Sequence, residues 1–194
     1  MIRVGIPTFG TDGGRSGIGS YLRELLLQFD RECHSGEFSF ELIGPESDYR
    51  HFTVGTSRFG WYRVEGADRH PVHNYFWNQL VLPGICRRQG YDLLFLPAAN
   101  RRLTGRAPCP AVGTVHDLAS LHVKDKYNFM HRVFNERMLP RLAGKLDHVI
   151  TVSSFSAGDI VRFCGVPEER ITVTHLAADR SRFTTEMKRE EAEA

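Results

Sequence analysis

The sequence has 194 residues, 41% apolar and 25% charged, with a formal net charge of +2. This balance predicts one well-packed globular domain and leaves little room for two. A charge so close to neutrality excludes an overall field that draws the chain onto nucleic acid. No apolar run reaches the roughly 20 residues of a membrane-spanning helix. The four cysteines form no CxxC pair, which predicts reduced thiols in a cytoplasmic protein and disfavours a zinc site or a disulfide framework.

Short apolar runs alternate with amphipathic stretches along most of the chain. The first run, Ile2–Pro7, already has the pattern of a strand, so we expect no targeting signal before the fold. A glycine-rich loop follows at Thr8–Gly17, and the apolar spacing of Ile18–Phe29 then predicts a helix. Later apolar runs predict strands at Phe38–Gly44, Trp61–Val64, Asp92–Leu96, Val112–His116, Val149–Val152 and Arg170–His175.

Three further stretches have helical patterns. They are Val72–Arg88, bent or interrupted at Pro83, Lys126–Leu142, broken or kinked near Pro140, and Phe155–Cys164. The alternation of strands and helices predicts an α/β fold, a doubly wound parallel sheet of Rossmann-like type with right-handed crossovers. Beyond Leu176 the apolar pattern fails, and Met187–Ala194 is charged without an apolar stripe. We interpret this tail as a linker.

Ligands of an open parallel sheet gather beyond the carboxyl ends of its strands. The glycine and polar residues that follow the predicted strands there are Gly13, Gly14, Gly17, Asn100, His116, Asp117, Ser153 and Ser154. Each group has two interpretations. The glycine loop opens a helix and could hold a phosphate, or it could be a flexible turn without a ligand; Leu22 stands where a dinucleotide fingerprint needs its third glycine.

The two pairs of polar residues also have two interpretations each. His116 and Asp117 could carry chemistry, or a hydrogen-bonded histidine could close the strand while the aspartate caps the next turn. Ser153 and Ser154 could contact a ligand or simply cap a helix. The nine histidines form no HExxH or similar ligand pattern, so we expect no metal site.

A longer pattern resembles a known family. The segment Asp147–Ser156 (DHVITVSSFS) is similar to the "VS-x-FS" segment of family-4 glycosyltransferases, and the similarity continues through Gly165-Val166-Pro167. Leu176–Phe183 resembles the family's "NGVD…F" segment, with Ala177-Ala178 where Asn-Gly is common. Together with the glycine loop and the Thr114–Leu118 segment, the resemblance spans Met1 to about Phe183.

This resemblance implies half of a two-domain GT-B enzyme. Such enzymes transfer a sugar with retention from a nucleotide-sugar donor, UDP- or GDP-linked, to an acceptor hydroxyl without a bound metal or cofactor. It also implies that Gly13, Gly14 and Gly17 face the diphosphate and acceptor, and that His116 positions the transferred sugar. Asn100, Asp117, Ser153 and Ser154 are then candidate acceptor contacts.

The family's donor site lies mainly in a second domain that this sequence does not supply. We therefore expect residues 1–183 to form the acceptor-side domain and residues 184–194 to form a linker toward an absent donor-binding domain. The chain is then a truncated protein or half of a split enzyme and is inactive alone. The resemblance makes a sugar or lipid-linked acceptor plausible, as in the synthesis of cell-surface polysaccharide or glycolipid.

Three alternatives remain open. The segment His122–Lys145 has six Lys or Arg residues against two acids, interleaved with aromatics, so it could lie on an anionic membrane. Its apolar stripe could equally belong to the core; the stripe is Met130, Val133, Phe134, Met138 and Leu142. Alternatively, the chain could be half of a dehydrogenase or of a nucleotide-sugar epimerase. The missing third glycine of the dinucleotide fingerprint argues against this class. A non-catalytic subunit that binds a sugar or nucleotide in a split enzyme is another.

Overall fold

The computed structural model describes residues 1–33, 36–53, 59–64, 71–122 and 134–177. Within these ranges a seven-stranded sheet has the order β3-β2-β1-β4-β5-β6-β7, and every neighbouring pair is parallel. The strands are β1 (Ile2–Pro7), β2 (Phe38–Gly44), β3 (Phe59–Arg63), β4 (Leu93–Leu96), β5 (Ala111–Thr114), β6 (His148–Thr151) and β7 (Ile171–Val173). The expected α/β class and doubly wound parallel sheet are confirmed.

Helices connect the consecutive strands of this sheet except β4 and β5, which a loop at 97–110 joins. They are α1 (Gly17–Glu32), α2 (Glu46–Phe52), α3 (Pro71–Phe76), α4 (Leu82–Gln89), α5 (Ala119–His122), α6 (Leu139–Ala143) and α7 (Ser154–Asp159). Short 3₁₀ turns at Asp12–Gly14 and Glu168–Arg170 precede α1 and β7. Residues 123–133, which hold part of a predicted helix and of the basic segment, lie outside the described residues, as does the predicted linker at 184–194.

The helix predicted at Val72–Arg88 differs from the expectation at Pro83. A π-helical turn at Trp77–Val81 joins α3 to α4, and the N–H of Leu82 donates to the carbonyl of Trp77. Proline lacks the N–H that an α-helix needs, and a wide turn just before it changes the hydrogen-bond pattern without ending the helix. The same arrangement recurs where a π turn at Phe134–Met138 leads into α6 and Pro140.

Both faces of the sheet are covered, as its apolar strands require. Leu94 and Leu96 of β4 point into one buried cluster, whereas Phe95 points into the other with Val4 and Ile6 of β1. This alternation follows from the two-residue period of a strand. The continuous apolar runs of the sequence are therefore explained by burial on two sides.

The strand order reverses direction beside β1. The chain first adds β2 and β3 on one side of β1 and then crosses to place β4 on the other side. At such a reversal an open α/β sheet has its ligand-binding crevice, beyond the carboxyl ends of the two strands. The glycine-rich loop follows β1 and therefore borders this crevice.

Candidate functional site

Three loops meet at the carboxyl edge of the sheet. We call their combined surface the rim and define it as residues 10–17 after β1, 97–102 after β4 and 116–117 after β5. A Cβ atom on Gly10 would lie 2.9 Å from Cγ of Arg102, so the first two loops are in close contact. An imidazole nitrogen of His116, Nε2, lies 2.9 Å from the carbonyl oxygen of Pro97, which ties the second loop to the third.

The glycine-rich loop has an unusual backbone. Asp12, Gly13 and Gly14 are consecutive residues with φ of 53°, 61° and 82°, in the left-handed region that glycine tolerates and aspartate adopts more readily than most residues. The N–H groups of Gly14 and Arg15 donate to the carbonyls of Thr11 and Asp12, so they close the turn. The Ser16 hydroxyl caps α1 by accepting from the N–H of Gly19 at 3.2 Å, so the N–H groups that remain for an anion are those of Gly17 and Ile18.

A buried polar group supports the loop from below. Asp48 of α2 is only 5% exposed, and the Thr8 hydroxyl donates to its Oδ2 at 2.7 Å. Burial raises the pKa of Asp48 above its ordinary value, and the hydrogen bond from Thr8 opposes that shift. His51, one helical turn further on, packs its ring against Gly14, where a Cβ atom would lie 1.9 Å from Nε2. The positive φ thus favours glycine at position 14, and a Cβ atom there would also displace the His51 ring.

The hydrogen bonding of His116 fixes its tautomer. A carbonyl oxygen can only accept, so Nε2 carries the proton that it donates to Pro97, and Nδ1 of the neutral ring is left as an acceptor. Burial lowers the pKa of His116, and the positive charge of Arg101 acts in the same direction; the bond to Pro97 and the charge of Asp117 oppose them. The half-buried ring is therefore neutral near pH 7 and can accept a hydrogen bond from a hydroxyl group.

Tyr21 of α1 connects the glycine loop to the end of β5. Its ring meets the His116 ring edge to face, with centroids 4.8 Å apart. Its hydroxyl lies 3.1 Å from Oγ1 of Thr114, the last residue of β5. Burial raises the pKa of Tyr21, so the hydroxyl stays protonated. The helix that begins at the glycine loop therefore also holds the orientation of His116.

The two predicted serines have different surroundings. The Ser153 side chain accepts a hydrogen bond from the N–H of Ser156 at 3.1 Å, so it caps α7. The hydroxyl of Ser156 donates to the main-chain oxygen of His116 at 3.2 Å, which brings α7 against the rim. Ser154 is exposed as the first residue of α7. Capping by Ser153 is observed, and its contact with an acceptor stays a prediction.

Asn100 lies in the rim loop after β4, and Asp117 directly follows His116 in the chain. Oδ1 of Asn100 is buried and has no hydrogen-bond partner among the residues that the structure describes. A buried acceptor atom without a donor is costly, and a ligand hydroxyl would relieve that cost. Asp117 is exposed, and its Oδ1 accepts from the N–H of Ala119 at 3.0 Å, so it caps the start of α5.

Sequence reasoning missed several residues at this site. They are Asp12, Tyr21, Asp48, His51 and Arg101. The spacing of Asp48 and His51 places both on one face of a helix that starts at the carboxyl end of β2, and this was the available signal. The contacts of Tyr21 and Arg101 depend on residues 93 and 89 positions away, so no local pattern indicated them.

Metal-binding clusters and membrane-spanning helices are both absent from the described ranges. In them, no group of three or more His, Cys, Asp or Glu side chains is arranged to hold a metal ion. No helix in the same ranges is long and apolar enough to cross a membrane.

Comparison with known proteins gave one family match. The sequence profile described as Glycosyltransferase Family 4 matches residues 15–182. A comparison with curated proteins returned no match. The fold is also similar to that of several solved structures at low sequence identity.

A glycosyltransferase from Rickettsia africae is 14% identical over 99% of this chain and 47% of that chain, with a TM-score of 0.49. The UDP-GlcNAc 2-epimerase of Methanocaldococcus jannaschii is 8% identical over 89% of this chain and 44% of that one, with a TM-score of 0.51. UGT73P12 of Glycyrrhiza uralensis was solved in complex with glycyrrhetinic acid 3-O-monoglucuronide. It is 8% identical over 89% of this chain and 48% of that one, with a TM-score of 0.52. The chain thus spans about half the length of each protein.

Proposed function

Because the chain belongs to glycosyltransferase family 4, we propose that it is the N-terminal, acceptor-side domain of an enzyme that transfers a sugar with retention. The donor is a nucleotide sugar, UDP- or GDP-linked, and the acceptor presents a hydroxyl group. The observation that carries the proposal is the neutral His116 ring, whose Nδ1 remains an acceptor beside the glycine loop. The family and the fold support a transferase; the donor, the acceptor and retention belong to the proposal.

His116 acts by position in this proposal. With its Nε2–H bound to Pro97, the ring has one lone pair, on Nδ1, for a hydroxyl of the transferred sugar. Holding that hydroxyl aligns the anomeric carbon with the acceptor oxygen, and loss of such alignment can cost about 100-fold in rate. The bond to Pro97 and the edge-to-face contact with Tyr21 keep the ring from rotating.

The glycine loop is assigned to the donor diphosphate. The left-handed turn at Gly13 and Gly14 places a backbone without side chains beside the first turn of α1, where Gly17 is the first helical residue. Helix N-termini attract anions because free N–H groups and the helix dipole point toward them. Negative charge that develops on the leaving diphosphate would be stabilised here.

The acceptor is assigned to the part of the rim nearest β5 and β6. The unpartnered buried oxygen of Asn100 supports its role as a hydroxyl contact. Asp117 and Ser154 are exposed beside it, whereas Ser153 has its hydroxyl engaged in the helix cap. A sugar or lipid-linked acceptor of polysaccharide or glycolipid synthesis fits a polar rim of this kind, on a cytoplasmic protein with peripheral membrane contact through the 122–145 segment.

Turnover requires a second domain that completes the donor site. The similar structures are about twice as long as this chain, which is compatible with such a domain. We propose that it follows the 184–194 linker and closes over the rim. The chain alone then binds substrate fragments without transferring sugar.

The test measures sugar transfer by the complete two-domain enzyme carrying His116→Ala. We expect turnover to fall about 100-fold, the cost of losing alignment, while the free energy of unfolding falls only by the roughly 1 kcal/mol of the lost hydrogen bond to Pro97, so that the enzyme stays folded in the assay. His148→Ala is the matched control, because His148 begins β6 at the opposite edge of the sheet. Near-normal turnover of the His116→Ala enzyme would remove His116 from the site. Tight NAD binding by the chain would favour a dehydrogenase-type module instead.

A further inference from the structure

We propose that Arg101 binds a phosphate group of a transfer substrate and that Asp12 occupies its guanidinium group until that phosphate arrives. The inference rests on the proposed function because it takes the phosphate from the donor diphosphate or from a phosphorylated acceptor. Asp12 lies in the glycine-rich loop, whereas Arg101 lies outside the segments that carry the family resemblance.

The position of the pair at the strand-order reversal is the first argument. Asp12 lies in the loop after β1 and Arg101 in the loop after β4, and their side chains meet with Nη1 and Oδ2 2.9 Å apart. These two loops border the crevice where open α/β sheets bind ligands. An arginine here offers a planar fork of N–H donors that matches phosphate oxygens.

The exposure of the pair is the second argument. The Arg101 side chain is 47% exposed and the Asp12 side chain 53% exposed, so both charges remain in contact with water. Exposed ion pairs of this kind are weak and are screened by salt. A phosphate monoester dianion, or the two negative charges of a diphosphate, exceeds the single charge of a carboxylate and can therefore take the guanidinium from Asp12.

The surroundings of Arg101 indicate where a bound phosphate would lie. Burial lowers the pKa of His116 most, and the positive charge of Arg101 adds to that effect, so its guanidinium lies within electrostatic reach of the ring. The stems of Arg101 and Arg102 lie against Gly10, which fixes the base of the loop. A phosphate held by Arg101 would thus lie between the glycine loop and His116.

Backbone strain at Asp12 adds a third argument. Asp12 is the only residue other than glycine with a positive φ among the described residues. A left-handed conformation is unfavourable for a side chain with a Cβ atom and persists where the surrounding structure enforces it. Here it directs the carboxylate across the crevice toward Arg101 rather than along the loop.

The experiment titrates the ¹⁵N-labelled chain with inorganic pyrophosphate at constant ionic strength and follows amide shifts of the rim by NMR. Arg101→Gln should weaken binding about tenfold, the usual loss for a charge-assisted contact. Asp12→Asn should strengthen binding about two- to fivefold, because it removes a competitor of the strength of an exposed ion pair. Arg87→Gln is the matched control, because Arg87 is exposed in the last turn of α4, at the opposite edge of the sheet.

The Arg101→Gln and Asp12→Asn variants should change the affinity for pyrophosphate in opposite directions, which makes the test specific. If the ion pair merely held the loops together, both variants would weaken binding, and that result would overturn the proposal. Unchanged binding by the Arg101→Gln chain would also overturn it. Circular dichroism of each variant verifies the fold, and Arg101→Lys, which retains the charge, should recover part of the affinity.

Two further titrants distinguish the sources of the phosphate. If the donor diphosphate is the ligand, Arg101→Gln should weaken the binding of uridine diphosphate more than that of glycerol 3-phosphate. A larger loss for glycerol 3-phosphate would indicate that the phosphate belongs to the acceptor. Equal insensitivity to both titrants would contradict the proposal. Pyrophosphate binding requires no sugar transfer, so an inactive complete enzyme would refute the proposed function without altering the result for Arg101.

Discussion

The close contact between α1 and the glycine loop leads to a prediction about one methyl group. Gly19 is buried in the first turns of α1, and a Cβ atom there would lie 2.5 Å from Cα of Gly14 and 2.7 Å from the carbonyl oxygen of Thr11. These neighbours are backbone atoms, so relief requires a shift of the loop by about 1 Å to reach ordinary van der Waals contact. Gly17, two residues earlier, has no atom within 4 Å of the same position.

The magnitude follows from two opposing effects. Alanine gains about 1 kcal/mol over glycine inside a helix, and overpacking against backbone atoms, which cannot rotate away, costs about 2–3 kcal/mol, the upper part of the usual range. Gly19→Ala should therefore lower the free energy of unfolding by about 1–2 kcal/mol. Gly17→Ala should raise it by about 0.4–1 kcal/mol, the gain from a less flexible unfolded chain.

Urea unfolding of the two variants, followed by circular dichroism, measures both changes. We expect the midpoints to move in opposite directions with an unchanged m-value, because neither substitution alters the surface exposed on unfolding. In thermal unfolding, the Gly19→Ala chain should melt about 2–8 °C lower, given 2–4 °C per kcal/mol for a domain of this size. Equal stabilisation by the two substitutions would refute the packing argument and leave only helix propensity.

Two predictions concern titratable groups. Burial raises the pKa of Asp48, so the folded chain binds more protons than the unfolded chain just above the ordinary pKa of aspartate, and stability is lost as pH rises through that window. The difference between the urea midpoints of the Asp48→Asn variant and the parent chain should therefore shift in favour of the variant as the pH rises from 4 to 7. A difference that does not change with pH would count against the burial argument. A hydrogen bond from the Cys86 thiol lowers the pKa of Cys109, which lines an open pocket, whereas burial raises the pKa of Cys164 to about 11. Iodoacetamide should thus modify Cys109 first at pH 7 and more slowly after Cys86→Ala, as peptide mass spectrometry can verify; faster labelling of Cys164 would contradict it.

Local patterns determined most of the framework. The apolar runs predicted β1 and β2 at their observed bounds, Ile2–Pro7 and Phe38–Gly44. The other strands begin or end within a few residues of their predicted positions, because strand ends depend on pairing partners that a single run does not reveal. The serine cap at Ser153 and the glycine turn were also readable, since capping and positive φ depend on adjacent residues.

The composition of the rim was decided by tertiary structure. Asp12 and Arg101 are 89 residues apart, and they meet because β4 crosses over to pair with β1. The tautomer of His116 depends on the carbonyl of Pro97, and the need for glycine at position 19 depends on the approach of a loop backbone. Periodicity and turn chemistry extend over a few residues, whereas these contacts are fixed by the order in which the strands assemble. The sequence by itself therefore determined the fold class and the strand ends that form the candidate site, and only the assembled sheet decided which charges and ring atoms lie together there.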